Sequence, residues 1–253
     1  MRSFFLITGI VPLLLCQSPA QAPEANARET THYLDFQLEW HLITAGFAHL
    51  EVDRSATGGK IALDLESAGA VSRLYKVVDH YRVQIDGNAC PSAMQLDALE
   101  GKRHVITRMN FDSVKHRLAY SAQDLVKNTT TQREMDVPPC TREILSGLMT
   151  LRGMSPEPGK TGTFTVTDGK KVVAVRVEAQ AKDKVEAAGR QYTATRYEAF
   201  IFDNVLYKRR GRAFIWISDD TERLPVQLRF QMGFPVGNVS VQLQKHTRTS
   251  ASE

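Results

Sequence analysis

Phe164-Thr165-Val166-Thr167-Asp168-Gly169-Lys170-Lys171-Val172-Val173-Ala174-Val175-Arg176-Val177 is the stretch that decides the fold class. Two runs rich in β-branched residues flank Asp168-Gly169, and Asp-Gly between such runs is the strongest short-range hairpin signal. The pattern continues toward the C-terminus. Gln191 to Phe200 alternates, and Ala213 to Ile217 and Leu224 to Phe230 flank the turn Ser218-Asp219-Asp220-Thr221-Glu222. Val239 to Leu243 closes the series, and residues 247–253 read as a disordered tail.

Working back from the hairpin, Pro156 to Gly162 is a loop, and the segment before it is helical. Pro138-Pro139-Cys140 stops a strand, Thr141 can cap, and Glu143 stands in the first turn, where negative charge is favoured. Ile144, Leu145, Leu148, Met149 and Leu151 follow at helical spacing, and Gly153 ends the helix. Farther back, Arg103–Asn110 and His116–Ser121 read as strands, as do Asp79–Ile85 and Ile61–Glu66. Val71, Leu74, Tyr75 and Val78 suggest a short helix between the last two. Tyr33–Trp40 and Phe47–Val52 form an opening hairpin around the turn Ile43–Gly46. Short strands with frequent turns mean a sandwich or a barrel. The reading is a mainly β protein: a curved antiparallel sheet forming an open or partial barrel around one or two short helices.

The first residues have the layout of a secretory signal. Arg2 is followed by the apolar run Phe4–Leu15 and then by Ala20-Gln21-Ala22 and Ala25-Asn26-Ala27. The run falls short of the roughly 20 residues that span a bilayer. Residues 1–27 are therefore expected to be removed, with cleavage after Ala22 or Ala27. Ala27 is preferred because Pro23 follows Ala22. The expected location is the periplasm. Cys16 follows Leu15 rather than the small residue that a lipid-attachment site wants, so a lipoprotein anchor is the weaker reading. Residues 28–246 then form a single domain, with no later stretch long enough for a transmembrane segment.

The charge balance is +4 and mildly basic over 253 residues, and it hardly changes on cleavage, because residues 1–27 carry Arg2 and Glu24. Nucleic acid is not an expected partner of an exported chain. The cluster Lys208-Arg209-Arg210-Gly211-Arg212 reads first as a solvated turn. Its functional alternative is contact with anionic headgroups. Two cysteines remain, Cys90 and Cys140, without C-x-x-C spacing. In an oxidising compartment they are expected to form a structural disulfide closing about 50 residues, worth roughly 4 kcal/mol.

No motif identifies a reaction. The histidines are dispersed, without H-E-x-x-H spacing, and there is no nucleophile elbow, P-loop or dinucleotide fingerprint. Ser218-Asp219-Asp220 could gather a divalent cation, but Ser and Asp favour turns through bonds to their own backbone. Trp40 and Trp216 read as core or rim aromatics, with the lining of a lipid cavity as the alternative. No catalytic residue, metal ligand or cofactor is assigned.

Several blocks resemble the exported bacterial Domain of Unknown Function 3108 family. They are Tyr33 to Val52, Pro138 to Gly153, Gly211 to Asp220, Arg223 to Val226, and Gly237 to Leu243. Phe234-Pro235 and the cysteine pair depart from the family pattern. The resemblance implies export and a largely β structure, and it carries no activity. Three functions follow in order: non-enzymatic binding of a hydrophobic or amphipathic ligand such as lipid, a structural or adaptor role in the cell envelope, and a hydrolase with an unrecognised site.

Overall fold

The computed structural model describes residues 30–154, 156–233 and 236–250. The expected signal peptide with Cys16, and residues 251–253, lie outside them. The chain runs through β1 (Thr30–Trp40), β2 (Ile43–Arg54), β3 (Gly58–Ser67), α1 (Gly69–Leu74), β4 (Val77–Asp86), β5 (Pro91–Glu100), β6 (Arg103–Asp112), β7 (Arg117–Asp124) and β8 (Thr129–Asp136). It then forms α2 (Ile144–Gly153), β9 (Thr161–Thr167), β10 (Val172–Ala187), β11 (Arg190–Ala199), β12 (Gly211–Ser218), β13 (Pro225–Met232) and β14 (Asn238–Ser250).

All fourteen strands belong to one antiparallel sheet, ordered β8-β7-β6-β5-β4-β3-β2-β1-β14-β13-β12-β11-β10-β9. Every neighbour in the sheet is a neighbour in sequence except β1 and β14, which pair over their whole lengths, from Thr30 with Ser250 to Trp40 with Val239. The sheet is a continuous meander that curls without closing, and its two edges, β8 and β9, flank the segment that carries α2. Arg142 on the approach to α2 forms a parallel bridge to Val166, donating its N–H to Thr165 O and accepting from Thr167 N. At the seam the β9–β10 turn packs against β7. A methyl on Gly169 would overlap the Tyr120 ring, and its φ of 81° is one that glycine adopts freely.

The sequence expectation of a curved β-sheet around short helices holds. Details differ. The first turn is His41–Leu42, and Ile43–Gly46 belongs to β2. α1 ends at Leu74, and Val78 is in β4. Residues 247–250, expected to be disordered, continue β14, because Thr247 to Ser250 pair with Tyr33 to Thr30. Two strands had no sequence signal. β5 is written in Ala, Leu, Met, Gln and Glu, which are residues of helical preference. β8 is an edge strand whose residues are nearly all exposed and polar, so it has no apolar alternation.

α2 is capped by Glu143 rather than Thr141. The Glu143 carboxylate, fully buried, accepts from Leu145 N at 2.7 Å and Ser146 N at 2.5 Å. The Tyr81 hydroxyl on β4 stands close to it. Burial pushes its pKa above the usual carboxylate range, and the N–H bonds oppose that shift. Thr141 instead donates its hydroxyl to Pro138 O. Just before the helix, Cys140 is joined to Cys90 in the β4–β5 turn, with Cα atoms 4.9 Å apart. The disulfide and the cap thus hold α2 inside the curl of the sheet.

Candidate functional site

α2 has a different cavity on each of two faces. Ile144, Leu145, Gly147, Leu148 and Leu151 line a cavity of about 640 Å³. Its other walls come from β1–β3 and from β9–β14, nine strands in all. Successive side chains on a strand point to opposite faces, so each wall is a set of alternate residues: Leu63 and Leu65 on β3, Val175 and Val177 on β10, Ala213 and Ile215 on β12, and Leu228, Phe230 and Met232 on β13. Gly147 leaves room there, since a methyl on it would sit 3.3 Å from Phe164.

The only charged side chains lining this cavity, among the described residues, are Lys208 and Arg209. They are exposed and stand beside Tyr207 on the β11–β12 loop. That loop is tied down by Lys171, whose ammonium donates to Asn204 O at 3.2 Å and to Val205 O. The geometry is an apolar chamber with two cations at one side.

A second cavity, of about 450 Å³, lies where β1 begins and β2 and β14 end. α2 contributes Met149, Arg152 and Gly153 to it. The strand ends add His32, Arg54 and Arg248, and the β12–β13 turn adds Glu222 and Arg223. Arg152 donates to Arg223 O at 2.8 Å and to Glu222 O at 2.9 Å. Arg248 pairs with the Glu222 carboxylate at 2.8 Å.

Beside this cavity His32 Nδ1 and His246 Nε2 lie 3.0 Å apart, with ring centroids 5.3 Å apart and planes 13° from parallel. This is an N–H···N bond between two imidazoles. Burial, and then the Arg152 charge, lower the His32 pKa to about 4, and burial lowers His246 as well. With Glu222 the pair offers three donor atoms within 4.8 Å of one another. The imidazoles direct their facing nitrogens at each other, Arg248 holds Glu222 Oε1, and Glu222 Oε2 stands 3.6 Å from His32 Nδ1, so the arrangement is a hydrogen-bonded histidine pair beside a carboxylate.

The residues singled out in the sequence are distributed as follows. Ser218-Asp219-Asp220 is a turn. The Ser218 hydroxyl donates to Asp220, while Asp219 accepts from Thr195 and forms an ion pair with Lys182, so the two carboxylates have separate partners. Trp216 points away from the apolar cavity, donates to Asp183 at 2.8 Å and lies under Arg229 and Arg196. Trp40 donates to Val236 O and is absent from the cavity wall as well. In the basic cluster, Arg212 forms two bonds to Glu198, whereas Lys208 and Arg209 reach the cavity. His49, His80 and His104 form exposed or partly exposed pairs with Asp35, Asp64 and Asp97. None of these pairs lines either cavity. The four arginines around the second cavity carried no sequence signal, because their positions span nearly 200 residues.

Comparison with known proteins agrees with the geometry in supplying a fold and no activity. The family described as "Protein of unknown function (DUF3108)" matches residues 35–244. Among solved structures the chain is similar to a β-barrel-like protein of the domain of unknown function DUF1849 from Brucella abortus. The two are 11% identical with a TM-score of 0.58, over 88% of this chain and 98% of that one. No curated protein matches. Among the described residues no helix is long and apolar enough to cross a membrane.

Proposed function

Because the chain belongs to the DUF3108 family, whose members share a domain of unknown function, we propose its role from its geometry: non-enzymatic binding of an amphipathic ligand with an acyl-like tail and an anionic head. The observation that carries this reading is the apolar cavity with Lys208 and Arg209 beside it. Its volume of about 640 Å³ lies within the range of roughly 300–1,000 Å³ usual for small-molecule sites. Each methylene removed from water contributes about 0.8 kcal/mol, whereas an exposed ion pair contributes roughly 0–1 kcal/mol. The tail therefore sets the affinity and the two cations set the orientation. In this reading the protein works in the periplasm, where the expected signal peptide would send it among envelope lipids.

The adaptor reading would use the open edge of β8. That edge carries Arg133, Glu134 and Asp136, and charge on an edge resists the addition of another strand.

The test is uptake by delipidated protein, measured with a fluorescent fatty acid and by native mass spectrometry. Stoichiometric uptake is expected, lost when Ala199→Trp fills the cavity. No uptake by the wild-type chain of either a fatty acid or the alcohol of equal length would sink the proposal.

A further inference from the structure

Arg152 is a partly buried cation on the side of α2 that lines the polar cavity. Its guanidinium is held at the side of α2 by two backbone carbonyls, with Met149 Sδ 3.4 Å away. Among the described residues no carboxylate lies at salt-bridge distance from it. Drawing a cation even partly out of water without an anionic partner is costly, because desolvation removes the water that stabilised it. The neighbours act in both directions. Arg54 and Arg223 raise that cost through their like charge, the Glu222 carboxylate offsets part of it, and Arg248 completes the set of arginines around the cavity. Arginines from β2, α2, the β12–β13 turn and β14 thus line one cavity; Arg223 faces Asp219 at 3.8 Å, and the only carboxylate lining the cavity among the described residues is Glu222, whose Oε1 is bonded to Arg248.

With one carboxylate among four arginines, the lining keeps an excess of positive charge that an anion would offset. Guanidinium groups match planar and tetrahedral oxyanions, to which they donate in pairs. Ser55 and Thr30 add small polar side chains to the same wall. We infer that the cavity under Arg152 is a binding site for a phosphate-type oxyanion, with Arg54, Arg152 and Arg248 as its principal donors. The site is separate from the apolar cavity and stands or falls independently of the proposed acyl ligand. A free phosphate and a phosphorylated headgroup share this chemistry.

The experiment is isothermal calorimetry and thermal unfolding of the exported protein with two probes, inorganic phosphate and dihexanoyl phosphatidic acid, against sodium chloride at matched ionic strength. Phosphate is expected to bind one site and raise the unfolding temperature. Arg54→Gln is expected to weaken binding at least about tenfold, the loss of one charged donor. It is the informative variant because Arg54 makes just one long bond, 3.5 Å to Gly87 O, and its removal leaves the fold intact. Arg152→Met should abolish binding. Arg133→Gln, on the exposed edge strand, should leave binding unchanged. Equal affinity for the two probes assigns the site to free phosphate, and affinity at least about tenfold higher for the phosphatidic acid assigns it to a headgroup. A chloride control that shifts the unfolding temperature as much as phosphate, or an Arg54→Gln protein that binds like the wild type, overturns the inference.

Discussion

The two cavities share one helix and differ in almost everything else. The apolar cavity is built from the middles of strands, where alternation delivers one side chain in two to the interior. The polar cavity is built from strand ends and a turn, where the chain has finished alternating and long side chains reach inward. One helix serves both because Leu151 and Met149, two positions apart, occupy nearly opposite faces of it. The lesson is that this fold makes an apolar interior through regular pattern and a charged one through convergence, and the two respond differently to the same kind of change.

The largest expected effect tests whether α2 is held as a shared wall. Replacing Cys90 and Cys140 with Ser should cost roughly 4 kcal/mol of stability in urea unfolding, since the bridge closes a loop of 50 residues. Retention of both binding activities at full affinity with that loss would mean the helix needs no tether. Next, Glu143→Ala removes a buried cap and leaves two backbone N–H groups without their acceptor. About 3 kcal/mol should be lost. A cost under about 1 kcal/mol would show that the partition does not depend on this cap.

Two further changes separate the cavities. Leu148→Arg places an uncompensated charge in the apolar chamber and should cost about 2–3 kcal/mol and abolish acyl uptake while phosphate binding survives. Acidification acts instead on the polar side, where it lowers stability. The folded-state pKa of His32, about 4, lies below its ordinary 6.5, so its contribution is fully present above pH 6.5 and is lost as pH falls toward 4. Discounted for partial exposure, this is worth about 1–2 kcal/mol. His32→Gln should flatten that part of the pH profile, and an unchanged slope would remove His32 as its source. The smallest effect belongs to the cavity cations. Lys208→Ala with Arg209→Ala should weaken a fatty acid by a few-fold, under about 1 kcal/mol, and leave the alcohol of equal length unchanged.

The same contrast explains what could be read from the chain in advance. Asp168-Gly169 between two β-branched runs identified its hairpin, and the structure places Val175 and Val177 of the second run in the interior. α2 was legible because Ile144, Leu148 and Leu151 repeat at helical spacing, although its cap is Glu143 and not Thr141. β5 and β8 were not legible, the first because its residues favour helix and the second because no face of it is buried. The polar cavity left no local trace. His32 and His246 become neighbours through the β1–β14 register, and nothing within a short window of sequence encodes a pairing across more than two hundred residues.

That same register has a kinetic consequence. β1 and β14 are the first and last strands, and they meet in the middle of the sheet. Until β14 is available the chain consists of two separate ladders, β1–β8 and β9–β13, and β1 presents a long unpaired edge. Closing the sheet there joins segments of very high sequence separation, the kind of step that slows folding and leaves an edge open to the wrong partner. The central seam is therefore the last to form during synthesis, and a chain interrupted before Asn238 would carry most of its strands and none of the pairing that unites them.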